Sequence, residues 1–476
     1  MHPRRSRGLV AAGATLAAVA ALIAANPGGT TAAAAQYPTP HQMLPKHVQF
    51  ISGEGAAPGP AYRATSRRFT PPGIQGSYNL KALYDEGLDG SGKTIAIVDS
   101  FGYPQAGADL KQFSQDYGLP LMCGMPDVAC QDGMAKFSTL TFGNHQVKAS
   151  PDSSSPGQED SNAWSVEVAL DIEYAHTIAP GANILLVATP TAETLGVQGF
   201  PNMMNAEQYV VDHHLADVVT QSFGAAEDSF GSAQSLQSLR HAFESGTEQG
   251  ITFLASSGDS GSVGSSKTPV SQGGSQLDTP QVGWPASDPL VTAVGGTTLC
   301  TDVFTGLTVD SANPPADCQQ NPGQREVGWN GSGGGFSHVF ARPSYQGTLP
   351  AGSTSIPDSA RGVPDISMNA SCTSYVVVLD TAPGYGGYYG VCGTSEASPM
   401  FAGVVAIADQ AAGHDLGLLN KLLYGTPAPK YDVVSGNNTQ DGSGVPGYAA
   451  GTGWDAVTGL GTPADAHAFV HAIAGR

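Results

Sequence analysis

Apolar positions in this chain fall in short continuous runs rather than long stripes. Thr94-Ile-Ala-Ile-Val98, Ala182-Asn-Ile-Leu-Leu-Val-Ala188, Ala216-Asp-Val-Val-Thr220, Ile251-Thr-Phe-Leu-Ala255 and Leu290-Val-Thr-Ala-Val294 are rich in β-branched residues and bounded by turn formers. Runs of this kind predict strands buried on both faces. Between them, helical patterning predicts helices near 106–117, 163–176, 205–214, 234–249 and 398–412. Strands alternating with helices predict an α/β fold, a parallel sheet with helices on both faces. In such a sheet a site is expected at the carboxyl ends of the strands. No internal repeat is visible.

The first residues follow a different pattern. Arg4, Arg5 and Arg7 precede an apolar run from Leu9 to Ala25 and the small residues Ala33-Ala34-Ala35. Positive start, apolar middle and A-x-A end predict a secretory signal peptide over 1–35, with Arg4-Arg5 a loose match to the twin-arginine route. A retained anchor is the rival reading, but the run is just short of the ~20 residues a span needs. Residues 36–70, rich in Pro, Gly and Ala, predict a short leader or linker, with order beginning near Phe69. Residues 71–476 are then one large domain.

Composition narrows the class. Gly and Pro number 62 and 34 of 476 residues, too many for a coiled coil or helical bundle. Only 13% of residues are charged and 40% are hydrophobic, which excludes a disordered polar chain. The net charge of −20 opposes phosphate and argues against nucleic acid as a partner. Loss of 1–35 removes three Arg and no acid, taking the charge from −20 to −23. No stable membrane association is expected after that loss, and a monomer is the default. Six cysteines suit an oxidising compartment, and without a C-x-x-C they argue against zinc or thiol exchange chemistry. Their clustering suggests three local pairs in sequence order: Cys123–Cys130, Cys300–Cys318 and Cys372–Cys392.

Three segments carry candidate chemistry. In Gly393-Thr-Ser-Glu-Ala-Ser-Pro399, Ser395 opens an apolar helix, whose N-terminus favours developing negative charge. A plain capping serine fits the same pattern. Glu167 and Asp171, in Trp164-Ser-Val-Glu-Val-Ala-Leu-Asp-Ile-Glu173, stand four apart, on one helix face among apolar neighbours. Two solvated surface acids are the plainer reading. Phe253-Leu-Ala-Ser-Ser-Gly-Asp-Ser-Gly261 runs a buried strand into a turn bearing Asp259, at the strand end where an α/β site forms. A turn Asp bonding its own backbone is the ordinary alternative. No His-Gly-Thr occurs, so the usual imidazole base is not visible.

Together these segments resemble the sedolisin family of serine-carboxyl peptidases. The resemblance covers most of 70–476, with Glu167-x-x-Leu-Asp171, Ser256-Ser-Gly-Asp259 and Gly393-Thr-Ser395 with Pro399 in the family's order. Trp284-Pro-Ala-Ser-Asp-Pro289, Val291-Thr-Ala-Val-Gly-Gly-Thr297 and Pro364-Asp-Ile-Ser367 extend it. The resemblance implies a subtilisin-like fold and a peptidase in which Glu replaces the His base. It implies Ser395 as nucleophile, Glu167 as general base, Asp171 as its proton-sharing partner and Asp259 as a protonated donor to the oxyanion, with Asp99 extending the network. It also implies one Ca2+ in 430–462, held by Asp432, Asp455 and the carbonyls of Val433, Gly451 and Gly453; two carboxylates and glycine-freed carbonyls are a hard-cation donor set. The expected partners are protein or peptide substrates.

Some features depart from the family. At most about 35 residues separate the signal from the fold, where many sedolisins carry a long pro-domain. Glu396 directly follows the nucleophile, and Phe223 stands where some relatives have Trp. Glu396 could tune the pH profile, meet a basic substrate group or point to solvent. Tyr385, Tyr388 and Tyr389 are read as loop residues near the cleft. The reading is a secreted acid-acting endopeptidase, with tripeptide trimming left open. Two rivals stay open: an inactive binding protein on a peptidase fold, and a peptidase using Asp99, an unplaced His and Ser395.

Overall fold

The computed structural model describes residues 48–53 (backbone only), 68–142, 163–192, 199–264, 276–310, 312–382 and 385–476. The expected signal peptide lies outside the described residues.

The apolar runs become the strands of one sheet. We number β1 Val48–Gly53, β2 Thr94–Ser100, β3 Phe137–Thr141, β4 Asn183–Thr189, β5 Val218–Gln221, β6 Thr252–Ser256, β7 Val291–Leu299, β8 Glu326–Gly328, β9 Ile366–Asn369, β10 Val376–Asp380 and β11 Gly387–Val391. The main sheet runs β8-β7-β6-β5-β2-β4-β3, and β9 also pairs with β7. Every pairing is parallel except β8 with β7. The helices used below are α1 Ala106–Tyr117, α2 Ala163–Ile178, α3 Phe200–Asp212, α4 His241–Glu248, α5 Thr394–Ala412 and α6 Ala466–Ile473.

Strand periodicity explains why these runs are apolar throughout. Successive side chains point to opposite faces, and both faces are covered. Ile95, Ile97, Ile184, Leu186 and Leu254 join a core with α2 and α5, whose Leu170, Phe401 and Val404 are fully buried. Ala96, Val98, Leu185, Val187, Phe253 and Ala255 join a second core with Phe200, Met203 and Phe243 of α3 and α4. Helix α5 lies against α2 so closely that a Cβ on Gly403 would come within 2.6 Å of the Ile178 Cβ.

The observed elements differ from the expected ones in instructive places. The 234–249 helix is two, Ala233–Gln237 and α4, and Arg240 at the break reaches Asp288 at 2.9 Å. Helix α5 begins at Thr394, four residues before the expected start. Upstream of Phe69, β1 pairs antiparallel with β11, which pairs with β10. The tyrosines expected in cleft loops are corrected likewise. Tyr388 and Tyr389 are buried on β11, and the Tyr388 hydroxyl donates to Asp116 of α1. Buried Tyr385 packs edge-on against Tyr389. All six cysteines form the three local pairs, and among the described residues none is free.

Candidate active site

The site stands at the carboxyl ends of β2, β5 and β6 and the N-terminus of α5, where a doubly covered parallel sheet leaves a crevice. Strand β2 delivers Asp99, fully buried. Helix α2 delivers Glu167, half-buried, and Asp171, fully buried, one turn apart. Burial, first of all, pushes the Asp171 carboxyl well above its ordinary range. The negative charges of Asp99 and Glu167 push the same way, so the three carboxyl groups form one cluster. Like charges this close cannot all be ionised, and the cluster holds at least one proton in mild acid.

The cluster is tied to the serine by a residue with no role in the sequence reading. Ser222, just past β5, donates its hydroxyl to Asp171 at 2.7 Å, which pulls part of the upward shift back. The same Oγ lies 3.4 Å from the Ser395 carbonyl oxygen. That carbonyl is free to accept because Pro399, four residues on in α5, has no N–H to offer it. The signal in Gln221-Ser-Phe-Gly224 was a hydroxyl at a strand end; Phe223 beside it is a core residue packed on Phe200.

Asp259 arrives from the turn after β6. Its Oδ1 accepts the Thr394 N–H at 2.7 Å and the Thr394 hydroxyl at 2.8 Å. The Thr394 hydroxyl oxygen in turn accepts the Gly258 N–H at 3.0 Å. Asp259 is thereby fixed to the residue before Ser395. Gly393 makes the approach possible: its φ is +136°, and a Cβ there would lie 2.7 Å from Asp259 Oδ2. Ser395 is half-buried in the first turn of α5. Thus Ser395, Glu167, Asp171, Asp259 and Asp99 are brought to one end of the sheet, and Thr394 and Ser222 join them.

Glu396 turns inward. It is fully buried, and Asn369 Nδ2 donates to its Oε1 at 2.6 Å. Burial above all pushes its carboxyl well up, and the Asn369 bond pulls part of that back. The expectation that it could point to solvent is corrected. Among the described residues no histidine hydrogen-bonds to Ser395 or Asp171; buried His176 of α2 bonds the Pro120 carbonyl instead.

A second donor set lies at 430–462. Both Asp432 carboxylate oxygens accept from Gly453 N–H, at 3.1 and 3.0 Å. Asp455, fully buried, accepts from Gly451 N–H at 2.9 Å and from Val457 and Thr458 N–H at 2.8 Å each. Two carboxylates therefore fold onto one glycine-rich loop beside buried Val433. A carboxylate keeps acceptor capacity beyond such bonds. Two carboxylates are hard oxygen donors of the type a hard cation takes.

Comparison with known proteins agrees with this architecture. A model of the subtilase family matches residues 148–421. Kumamolisin of Bacillus sp. (strain MN-32) is 32% identical over 421 residues, covering 86% of this chain and 64% of the relative. Sedolisin of Pseudomonas sp. (strain 101) is 30% identical over 375 residues, covering 78% of this chain and 56% of the relative. The chain thus spans well under two thirds of the second and slightly under two thirds of the first. A solved structure of Pseudomonas sedolisin, a serine-carboxyl proteinase bound to two molecules of pseudo-iodotyrostatin, superposes with a TM-score of 0.62 at 29% identity. That match covers 85% of this chain and 97% of the other. The subtilisin-like sheet, the ordered motifs and these matches together show that this chain belongs to the subtilase family, in its sedolisin branch.

Proposed function

We propose that this protein is a secreted serine-carboxyl endopeptidase that hydrolyses peptide bonds of proteins and peptides in acid. One observation carries the reading: a carboxyl cluster on one side, linked through Ser222, and Asp259 on the other side, held by Thr394, flank one serine at a helix N-terminus.

In this reading Ser395 Oγ attacks the scissile carbonyl and Glu167 takes its proton. Asp171, held by Ser222, shares a proton with Glu167 and keeps it oriented, as the third member of a triad does. Asp259, in its acid form, donates a hydrogen bond to the oxyanion and keeps its proton through collapse, with the Ser395 N–H as second donor. A neutral carboxylic acid can serve this way. Collapse of the tetrahedral species expels the amine, which receives the Glu167 proton and leaves an ester on Ser395. Water then attacks with Glu167 again as base, and the acid product leaves. Glu167 must be ionised to accept the proton, and a carboxyl base, with a reference value of ~4, does so already in acid.

The decisive experiment is cleavage of a denatured protein across roughly pH 3 to 8, the span over which carboxyl and imidazole groups titrate. Wild type is compared with Ser395→Ala and Glu167→Gln. Cleavage that peaks in acid and is lost in both variants is expected. A neutral peak that survives Glu167→Gln would mean a histidine base. No cleavage at any pH would favour the inactive binding fold.

The 430–462 set is proposed to hold one structural Ca2+ through Asp432, Asp455 and the carbonyls of Val433, Gly451 and Gly453. A bound Ca2+ would supply positive charge that pins the loop and would take no part in bond cleavage. Chelation should lower the melting temperature and Asp432→Asn should abolish that response. At a hundredfold excess over Kd the stabilisation is about 2.7 kcal/mol. A melting temperature indifferent to chelator and calcium would overturn the assignment. Export follows from the signal-like first 35 residues, and among the described residues no helix is long and apolar enough to cross a membrane.

A further inference from the structure

Away from the proposed site, Glu86, His467 and His471 converge on one point of the surface. His467 Nε2 lies 2.7 Å from Glu86 Oε1, and His471 Nε2 lies 2.9 Å from Glu86 Oε2. All three candidate ligand atoms lie within 4.8 Å of one another. The two histidines stand one turn apart on α6, their rings 4.7 Å apart, and both present Nε2. Glu86 caps the end of the helix Leu80–Asp85.

The cradle is built without help from these three side chains. Phe469, Val470 and Ile473 bury the other side of α6. Ala466 N–H donates to the Tyr78 carbonyl at 2.9 Å, and Asn79 Nδ2 donates to Asp465 Oδ1 at 2.9 Å. These contacts fix the start of α6 beside the helix Leu80–Asp85, so the three ligands come from elements already positioned. One carboxylate needs only one cation for neutrality, yet two imidazoles aim the same ring nitrogen at it.

We propose that Glu86, His467 and His471 bind a borderline divalent transition ion, with zinc as the reference case. Two imidazoles and one carboxylate suit zinc, whereas calcium and magnesium prefer all-oxygen sets such as that at 430–462. Zinc–ligand bonds of about 2.0–2.2 Å in a tetrahedron set neighbouring ligands about 3.3 Å apart. The present N···O contacts therefore open by about half an ångström to admit the ion. Each Nε2 gives up its proton, leaving the ring proton on Nδ1. Three protein ligands leave a position for water on the solvent side. The ion would clasp α6 to Leu80–Asp85, joining parts of the chain nearly four hundred residues apart in sequence.

The test uses full-length, untagged Ser395→Ala protein near neutral pH, stripped of metal and then resupplied with Ca2+. Calorimetric titration with Zn2+ alone should show one ion per chain and a raised melting temperature. His467→Ala and His471→Ala should each weaken binding by at least about 10- to 100-fold, the loss that even an outer partner of a ligand causes. Binding unchanged in the double variant, or no stoichiometric binding at all, would overturn the proposal and leave a plain His–Glu ion pair. If a variant misfolds, Co2+ in the unaltered site decides. Visible bands of a tetrahedral centre with two paramagnetically shifted imidazole N–H signals are expected, and their absence overturns the site.

Discussion

At the scale of single residues, the chain's chemistry turns on how each carboxyl is held. Ser222 is the informative case, because its hydroxyl donates to Asp171 and the same Oγ lies 3.4 Å from the Ser395 carbonyl oxygen. A hydrogen bond of this kind contributes about 1 kcal/mol, or about a five- to tenfold effect. Ser222→Ala should therefore lower kcat by about that factor. It should also move the acid limb of the rate profile to higher pH, since the bond favours ionised Asp171 and its loss raises that carboxyl further. A lower melting temperature with an unmoved limb would assign Ser222 to structure alone. The acids of the site were legible as residues, through Glu167 and Asp171 at helical spacing and Asp259 at a strand end. Their partners were not, since Ser222 and Thr394 are common residue types whose role is set by what folds beside them.

At the scale of elements, the start of α5 is where the pattern and the structure part. A proline after small residues suggests a helix beginning at 398, yet the helix begins at Thr394 and runs through Pro399. Asp259, accepting the Thr394 N–H, satisfies an otherwise orphan donor of the first turn and secures the earlier start. The missing N–H at 399 in turn leaves the Ser395 carbonyl to Ser222. Pro399→Ala would supply a competing donor to that carbonyl. It should stabilise the protein by on the order of 1 kcal/mol or more while lowering kcat. An unchanged kcat would show that the freed carbonyl has no part in positioning Ser395. The β11 strand was also missed, because Gly387-Tyr-Tyr-Gly-Val391 lacks both alternation and a long β-branched run. Its pairing with β1 and β10 supplies the order that its own sequence does not announce.

At the scale of the whole molecule, buried acids set how stability responds to pH. Burial raises Asp171, Glu173, Glu207 and Glu396 well above their ordinary values, Asp380 to about 7 and Asp409 to about 8. A raised folded-state value means that the native chain binds more protons than the unfolded one above pH ~4. Stability should then fall as pH rises from about 4 toward 8, at about 1.4 kcal/mol per pH unit for each proton of difference. Thermal unfolding of Ser395→Ala should show a higher melting temperature in mild acid than at neutral pH. A melting temperature that climbs toward neutrality would contradict that balance.

The sequence by itself determined the α/β class, most strands of the main sheet and the local disulfides, because these depend on short-range patterning and proximity along the chain. It also offered Ser395, Glu167, Asp171 and Asp259 as candidates, each beside a plainer reading, and only the order of their motifs, resembling the sedolisin family, gave them expected roles. Only the tertiary structure decided that these residues share one end of the sheet, that Glu396 faces inward, and that Ser222 links the cluster to the serine. It alone brought Glu86 to His467 and His471. Such contacts join segments tens to hundreds of residues apart, and they are set by how two faces of one sheet are covered, which no local pattern records.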